Sequence, residues 1–284
     1  MIDKICIIGV GLIGGSFAAG LKRVNQVKTI IGFSRQESHL KKAQEMDIID
    51  AYSLDIAQAL KQVQMVIIAT PVNSFQAILE LIKPHIDESV IISDVGSTKG
   101  SVIKIAKLVF SQMPARFIPA HPIAGKEKSG IEAVDAQLFN HKRVILTPEE
   151  NADAQAVDIL SSLWRSLGAK VEIMSDTKHD NLLAMTSHLP HMLVYGLMDY
   201  LISNNPNACR YAAGGFKDFS RIASSDALMW RDICINNSKE IVKHIEGYQQ
   251  TLEKISNLIK NNQVQALEKL FQEAKSARDN WLDS

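Results

Sequence analysis

Cysteine is scarce in this chain of 284 residues, which contains only Cys6, Cys209 and Cys234. An odd number at unrelated spacings excludes a disulfide framework and a cysteine zinc cluster, and it is typical of a reducing compartment. Net charge is also absent, because 31 Lys and Arg residues balance 31 Asp and Glu residues. A neutral chain has no overall field to attract a polyanion, so we expect neither nucleic acid nor a membrane as a partner.

Long hydrophobic runs are missing as well, since no segment approaches the roughly 18 apolar residues of a membrane span. The uncharged stretch from Ile5 to Leu21 could pass for a signal peptide, but four glycines interrupt it and weaken a continuous hydrophobic helix. We therefore expect a cytoplasmic protein. Its 46% hydrophobic and 22% charged residues are ordinary values for a folded globular chain.

Short apolar runs alternate with helix-length amphipathic segments through the first part of the chain. The runs are Lys4–Ile8, Thr29–Phe33, Met65–Ala69, Val90–Asp94, Phe117–Pro119, Val144–Thr147 and Val171–Met174. Strands that are apolar on both faces and separated by helices indicate a mostly parallel sheet that is covered on both sides. We therefore predict a doubly wound α/β domain over residues 1–174.

The pattern changes after Met174, and no strand-like run follows it. Apolar residues instead recur at three- and four-residue steps, as at Ile241, Ile245, Tyr248, Leu252, Ile255 and Ile259. This spacing gives one apolar stripe along a helix, and it predicts an all-helical domain over residues 175–284. Because the stripe is longer than one small helical domain readily hides, we also expect a homodimer joined through this domain.

The segment Gly9–Gly14 follows the first predicted strand and opens the first predicted helix. Gly9 permits a tight turn, Gly11 lets a pyrophosphate approach the backbone, and Gly14 allows close helix–strand packing. Glycines also serve ordinary turns, but this strand–turn–helix context favours a dinucleotide site in a Rossmann-like fold. The predicted cofactor-binding residues are Gly9, Gly11, Leu12, Ile13, Gly14, Ser34, Arg35, Thr70 and Pro71.

The end of the second predicted strand discriminates between the two nicotinamide cofactors. An acid about 20 residues after the glycines usually holds the ribose 2′-hydroxyl of NAD. Here Ser34 and Arg35 end the strand, and the first acid is Glu37. Ser34 can hydrogen-bond a 2′-phosphate, and Arg35 can pair with it or stack on the adenine. We therefore expect NADP rather than NAD; the alternative is that Arg35 is a solvated surface residue.

Two further segments follow predicted strands, at the edge where ligands bind in such sheets. Asp94–Lys99 closes the fourth strand, although Ser97 or Thr98 could simply cap a helix. His121, predicted to lie on the loop after Phe117–Pro119, suits acid–base chemistry because its ordinary pKa lies near physiological pH. A hydrogen-bonded structural histidine is the alternative.

The helical part carries two more candidate segments. His188 and His191 are three residues apart and share a helix face, and Pro190 is expected to bend that helix. They could begin a metal site, but no third ligand stands at a recognisable spacing, so no metal is predicted. Arg221 follows the pair Gly214-Gly215, and its guanidinium suits a bidentate grip on a carboxylate. From the residues alone, a surface charge fits Arg221 equally well.

These segments together resemble the prephenate/arogenate dehydrogenase family of tyrosine biosynthesis. The resemblance covers nearly the whole chain through GVGLIGGS at 9–16, DVGSTKG at 94–100, HPIAGKEKSG at 121–130, SHLPH at 187–191, GGFKDFSRIA at 214–223 and MWRD at 229–232. It implies a nucleotide-binding domain followed by a helical dimerisation domain. It also implies oxidative decarboxylation of prephenate to 4-hydroxyphenylpyruvate, or of arogenate to tyrosine, with NAD or NADP.

The same resemblance gives roles to single residues. His121 is then the catalytic base that accepts the proton of the ring C4 hydroxyl, and Ser97 hydrogen-bonds that hydroxyl. Arg221 is similar to the family arginine that binds the ring carboxylate. Further substrate-binding residues implied by the family are His188, His191, Lys217 and Trp230. No metal and no covalent intermediate is implied, because the cofactor carries the redox chemistry.

Two details refine these expectations. Relatives that use NAD commonly have Asp where this chain has Ser34, which favours NADP, and members with strong arogenate preference can lack the residue equivalent to His191, which favours prephenate. Without a mutase segment before Met1 or a regulatory domain after Trp281, we expect a monofunctional enzyme. The alternatives are an arogenate dehydrogenase, an NADP-dependent β-hydroxyacid dehydrogenase or imine reductase, and a non-catalytic NADP sensor.

Overall fold

The computed structural model describes residues 2–126, 128 and 130–282, so Glu127 and Ser129 of the motif at 121–130 lie outside the described residues. The strands are β1 (Ile2–Ile8), β2 (Val27–Phe33), β3 (Ala51–Ser53), β4 (Met65–Ile68), β5 (Ile91–Asp94), β6 (Phe117–Ile118), β7 (Ala120–Pro122), β8 (Arg143–Leu146) and β9 (Lys170–Ile173). The α-helices are α1 (Leu12–Arg23), α2 (Glu37–Glu45), α3 (Ile56–Ala59), α4 (Phe75–Ile82), α5 (Gly100–Phe110), α6 (Ala154–Ser166), α7 (Asp176–Leu183), α8 (Leu189–Asn204), α9 (Gly214–Ser220), α10 (Ala227–Asn236), α11 (Ser238–Lys260) and α12 (Val264–Leu282).

Six strands form a parallel sheet in the order β3-β2-β1-β4-β5-β6. Alternate side chains of β1 enter two different cores, with Ile5 and Ile7 in one and Cys6 and Ile8 in the other. The first core is completed by α1, α2 and α6, and the second by α3, α4 and α5. Both faces are thus covered, which explains why the strands are apolar throughout and confirms the doubly wound fold.

The strand order of this sheet reverses between β1 and β4. In open α/β sheets, ligands bind beyond the carboxyl ends of the strands at such a switch point. The loops that follow β1, β4 and β5 are therefore the parts of the fold where a cofactor and a substrate are expected to meet.

A second sheet, in the order β7-β8-β9, pairs β7 antiparallel with β8 and β8 parallel with β9. The sequence pattern predicts a single sheet and a loop at His121. Both points are wrong, because a second sheet is present and His121 lies on its strand β7, opposite Ile145. Pro119 separates β6 from β7, and its carbonyl accepts the N–H of Thr147, on the side of the second sheet. The three half-buried residues of β3 give no apolar run, so the sequence does not reveal that strand.

Only helices follow β9 in the described part of the chain, which confirms the expected all-helical C-terminal region. The chain divides into two compact units, residues 1–238 and 239–284. Both sheets and α1–α10 belong to the first unit, and the second consists of most of α11 with α12. The functional domain boundary after residue 174 stays a prediction. None of the described helices is long and apolar enough to cross a bilayer.

Candidate active site

The glycine-rich turn between β1 and α1 has the shape that a dinucleotide requires. Gly9 adopts a φ of +95°, and a Cβ there would lie 2.7 Å from the carbonyl oxygen of Ala69. A Cβ on Gly14 would overlap the carbonyl oxygen of Gly9, so both positions exclude larger residues. A Cβ on Gly11, in contrast, would meet no heavy atom within 4 Å. This open space next to the N-terminus of α1 fits a pyrophosphate, whose charge the helix dipole and the unpaired amides favour.

Thr70 and Pro71 follow β4 after one residue, Ala69, at the switch point of the sheet. A Cβ on Gly9 would lie 3.0 Å from Cγ2 of Thr70, so the two loops are in contact. The Ser74 hydroxyl donates to Oγ1 of Thr70 at 2.8 Å. The structure thus brings the predicted cofactor residues of β1, α1 and β4 to one edge of the sheet, with Leu12 and Ile13 in the first turn of α1.

Ser34, which is half-buried, and Arg35, which is exposed, follow the end of β2. Glu37 is the first acid after this strand, and it is engaged by two neighbours. Lys41 Nζ lies 3.1 Å from its carboxylate, and the Tyr52 hydroxyl donates to it at 3.1 Å. The hydrogen bond from Lys41, followed by that from Tyr52, lowers the pKa of Glu37. The strand end therefore offers a hydroxyl and a guanidinium, while its nearest carboxylate is committed to other partners.

A buried ion pair holds the strand that carries His121. The side chains of Asp94, at the end of β5, and Lys99, just before α5, are fully buried and contact each other. Asp94 also accepts the N–H of Ala120 at 3.2 Å, and Lys99 Nζ donates to the Ala120 carbonyl at 2.7 Å. Both backbone groups of the residue before His121 are therefore fixed by the loop after β5. Ser97 lies half-buried on that same loop.

His121 belongs to a row of hydrogen-bonded side chains. Its Nδ1 lies 2.8 Å from Nε2 of His179, and Nδ1 of His179 lies 2.8 Å from Oδ1 of Asp180. Asp180 also accepts the backbone N–H groups of Lys99 at 2.8 Å and of Gly100 at 2.9 Å. The sequence motifs do not include His179 or Asp180. The His-Asp pair shortly after β9 is the signal that could have identified them.

Burial controls the protonation of this row. It lowers the pKa of His121 well below its ordinary value, and the neighbouring His179, Lys99 and His188 add to the effect. Burial also lowers the pKa of His179, against the opposing hydrogen bond with Asp180. Burial acts to raise the pKa of Asp180, but the hydrogen bonds from His179 and two backbone amides outweigh it and lower that pKa. At neutral pH the row consists of two neutral imidazoles and one carboxylate.

A second cluster forms around the indole ring of Trp230. His191 stacks on it with ring centroids 3.6 Å apart, and His188 meets it edge-on at 6.0 Å. Asn237, which the sequence motifs also omit, joins this cluster to the row: its amide donates to Nδ1 of His188 at 3.3 Å and to the Asp180 carbonyl at 2.9 Å. Burial lowers the pKa of His188 to about 4. The buried indole N–H of Trp230 has no hydrogen-bond partner among the described residues.

Two cationic residues complete the predicted substrate site. Lys217 lies on α9, Arg221 begins the short turn that follows it, and both side chains are exposed. Both elements pack against α8, the helix that carries His191. Within the described residues, no group of three or more His, Cys, Asp or Glu side chains is arranged to hold a metal ion.

Comparison with known proteins adds a family to this geometry. The family model described as "Prephenate dehydrogenase, nucleotide-binding domain" matches residues 17–173, and "Prephenate dehydrogenase, dimerization domain" matches residues 175–273. A prephenate dehydrogenase of Bacillus subtilis (strain 168) is 36% identical over 285 residues, which span 98% of this chain and 76% of the relative.

Solved structures agree with this result. Prephenate dehydrogenase from A. aeolicus, in complex with hydroxyphenyl propionate and NAD+, superimposes with a TM-score of 0.93 at 34% identity, covering 99% of this chain and 98% of that one. Synechocystis arogenate dehydrogenase superimposes with a TM-score of 0.85 at 30% identity, covering 98% of this chain and 99% of that one. The resemblance carried by the sequence motifs is confirmed, and the chain belongs to the prephenate dehydrogenase family of oxidoreductases.

Proposed function

We propose that this protein catalyses the oxidative decarboxylation of prephenate to 4-hydroxyphenylpyruvate, with hydride transfer to a nicotinamide dinucleotide. The observation that carries the proposal is the position of His121. It is a buried, neutral imidazole, and the Asp94–Lys99 pair fixes its strand at the carboxyl end of β5. That end lies on the same edge of the sheet as the glycine-rich turn that fits the cofactor. In this proposal a base and a hydride acceptor lie side by side.

His121 Nε2 is the proton acceptor in this proposal, and its lowered pKa keeps it unprotonated at neutral pH. The bound dinucleotide supplies the acceptor for the hydride that leaves ring C4. The C4 hydroxyl loses its proton to His121 and becomes a carbonyl, while Ser97 hydrogen-bonds the same oxygen. The bond between C1 and its carboxylate then breaks, CO2 leaves, and the electron pair completes the aromatic ring. The ring oxygen regains a proton as a phenol.

Substrate recognition is assigned to the second cluster and to the cations beside α8. Arg221 and Lys217 supply positive charge for the carboxylates, with Arg221 on the ring carboxylate. His188, His191 and Trp230 line the ring site. The buried indole N–H of Trp230 supports this assignment, because a donor with no hydrogen-bond partner among the described residues is available to a bound ligand.

We assign NADP as the preferred cofactor. Ser34 and Arg35 supply a hydroxyl and a guanidinium for a 2′-phosphate, and Glu37 is held by Lys41 and Tyr52 rather than available to a ribose hydroxyl. Gly9, Gly11 and Gly14 would hold the pyrophosphate, together with the first residues of α1 and the Thr70-Pro71 loop.

Arogenate is the second candidate substrate, and the similarity to Synechocystis arogenate dehydrogenase favours it. Prephenate carries a second carboxylate on its side chain, whereas arogenate carries an amino acid group there. The presence of His191, stacked on Trp230, favours prephenate.

The deciding experiment is an absorbance assay of cofactor reduction. The purified protein is given prephenate or arogenate, each with NAD or NADP. We expect the highest kcat/KM with prephenate and NADP. Higher kcat/KM with arogenate would reverse the substrate assignment. If the protein binds NADP but reduces it with neither substrate, the non-catalytic NADP sensor becomes the better assignment.

A further inference from the structure

Asp180 determines where the protons lie in the row that ends at His121. Its carboxylate is ionised, and an ionised carboxylate can only accept hydrogen bonds. His179 must therefore carry its proton on Nδ1 and present a lone pair on Nε2. Nδ1 of His121, 2.8 Å from that lone pair, must then be an N–H donor. This leaves the lone pair of His121 on Nε2.

We propose that His179 and Asp180 are positioning residues that hold His121 in the tautomer and orientation needed to accept the substrate's hydroxyl proton at Nε2. The inference rests on the proposed function, in which His121 is the base. Neither positioning residue touches the reacting atoms. Without an acceptor at its Nδ1, a neutral histidine prefers to carry its proton on Nε2. The ring would then present an N–H, rather than a lone pair, to the hydroxyl.

The same row stabilises the imidazolium that the reaction forms. Burial strongly disfavours a positive charge on His121, and Asp180 offsets this through the intervening ring of His179. Among the described residues, the titratable groups that act on the pKa of His121 are His179 from α7, His188 from the segment between α7 and α8, and Lys99 from the loop after β5; Asp180 is hydrogen-bonded to His179, and Asp94 is paired with Lys99. Asp94 is already paired with Lys99, so Asp180 is the carboxylate of this group that can compensate the new charge.

Asp180 has a second task that makes it a poor residue to vary. Its two oxygens accept the N–H groups of Lys99 and Gly100 at the start of α5, where the helix dipole also favours a negative charge. Replacing Asp180 would therefore disturb α5 as well as the row. The ring of His179, in contrast, makes its hydrogen bonds only to His121 and Asp180 within the described residues. His179 is the position at which the proposal can be tested cleanly.

The test compares three variants with the parent enzyme. His179→Leu removes the acceptor for the His121 N–H. His179→Gln keeps one, because its amide oxygen reaches close to the place of the histidine Nε2. Leu183→Ala is the matched control, since Leu183 is buried on the same helix and takes no part in the row. Each protein is measured for kcat and KM with prephenate at saturating NADP, and for its thermal unfolding temperature.

A second readout needs no substrate. Nitrogen-15 NMR of histidine-labelled protein shows which ring nitrogen carries the proton, and the His121 signal is assigned by its loss in His121→Asn. We expect Nε2 of His121 to be unprotonated in the parent protein and in His179→Gln, and protonated in His179→Leu. This measurement decides the tautomer even where a variant folds poorly, because the parent protein alone must show the lone pair on Nε2.

In the kinetic measurement we expect kcat of His179→Leu to fall about 10- to 100-fold with KM within about threefold of the parent value, as for impaired general-base catalysis. His179→Gln should recover most of that loss, and Leu183→Ala should lower the unfolding temperature with little change in kcat. A parent His121 protonated on Nε2, or a kcat of His179→Leu within about threefold of the parent, overturns the proposal. If the parent oxidises neither substrate, the proposed function fails, whereas the NMR result still tests the positioning row.

Discussion

In the proposed mechanism His121 combines two opposing properties, because it is buried and yet must take up a proton. Burial lowers its pKa, so that it is neutral and ready at physiological pH, and it also makes the imidazolium a strong acid that readily returns a proton to the ring oxygen. The motif in the sequence identifies this residue through the family resemblance. The motif cannot reveal the hydrogen-bonded row of His179 and Asp180. The contact between His121 and His179 depends on packing between β7 and α7, and the two residues are 58 positions apart in the chain.

Replacing His121 with Asn removes the proton acceptor but leaves a side chain of similar reach. We expect kcat to fall about 10²- to 10⁴-fold, the usual effect of losing a general base, while the fold is retained. Steady-state kinetics with prephenate and NADP measures this directly. Arg221→Ala serves as the contrasting variant, because a carboxylate partner also binds the ground state, and its main effect should be a KM raised about 10- to 100-fold. If His121→Asn keeps kcat within a few-fold of the parent, the base is wrong and His188 becomes the next candidate.

The preference for NADP over NAD is also expected to depend on single residues. Ser34→Asp places a carboxylate where the 2′-phosphate of NADP is proposed to bind, so repulsion should shift the kcat/KM ratio towards NAD. Ser38→Asp is the matched control, because it adds the same charge on the exposed surface of α2 beyond the strand end. Kinetics with both cofactors gives the ratio for each variant. Unaltered or stronger NADP selectivity in Ser34→Asp would contradict the assignment.

At the scale of elements, the sequence predicts best those that bury a long apolar pattern. Strand β1 and helix α6 follow from such patterns, whereas β3 and β7 contain only three residues each and are defined by their neighbours. The segment that carries SHLPH shows both a feature that the sequence predicts and one that it does not. Pro190 lacks an N–H and disfavours regular packing of the turn before it, and the helix there widens into a π-helical segment at Ala184–His188. The sequence predicts an irregular helix near Pro190, but it does not predict that His188 is buried there.

Burial of His188 makes the folded protein sensitive to acid. Its pKa is about 4 in the folded protein and 6.5 in an exposed chain, so between these values the unfolded chain binds the extra proton. The stabilisation is complete above about pH 6.5 and is lost progressively as the pH falls to about 4. For one histidine the loss is on the order of 3 kcal/mol.

Urea unfolding at pH 7 and pH 4 measures this loss. In His188→Asn the difference in the free energy of unfolding between the two pH values should shrink, even though the variant is less stable at pH 7. The matched control is His85→Asn, because His85 is exposed and should leave the difference unchanged. An equal pH difference in His188→Asn and the parent protein would show that His188 does not carry the effect.

At the scale of the whole molecule, the proposed active site draws on residues from position 9 to position 237. Local sequence patterns predict the elements, but they do not specify which side chains meet once the elements pack. The Asp94–Lys99 clamp on Ala120 is such a case, because DVGSTKG reads equally well as a helix start. Helix α11 carries the expected apolar stripe, and its Leu252 is 48% exposed. On α12, Phe271 and Trp281 are 53% and 71% exposed.

These exposed side chains, and the match to the family's dimerization domain, support the expected homodimer through residues 175–284. Leu252→Glu should shift the protein to monomers in sedimentation at micromolar concentration, because it places a charge in the apolar stripe. Gln250→Glu is the matched control, since a two-residue step on a helix points its side chain away from Leu252. A fully active parent protein that sediments as a monomer would refute the dimer.

The clamp on Ala120 also divides the proposed site by rigidity. The Ala120 N–H ends on a fully buried carboxylate, so deuterium can reach it only when the core around β5 opens. Lys217 and Arg221 lie instead on short, exposed helical turns, whose amides exchange through local fraying. We therefore expect the half of the site that is proposed to move the proton to exchange as slowly as the core. The half that is proposed to recognise carboxylates should exchange faster, so that it can adapt around the substrate ring.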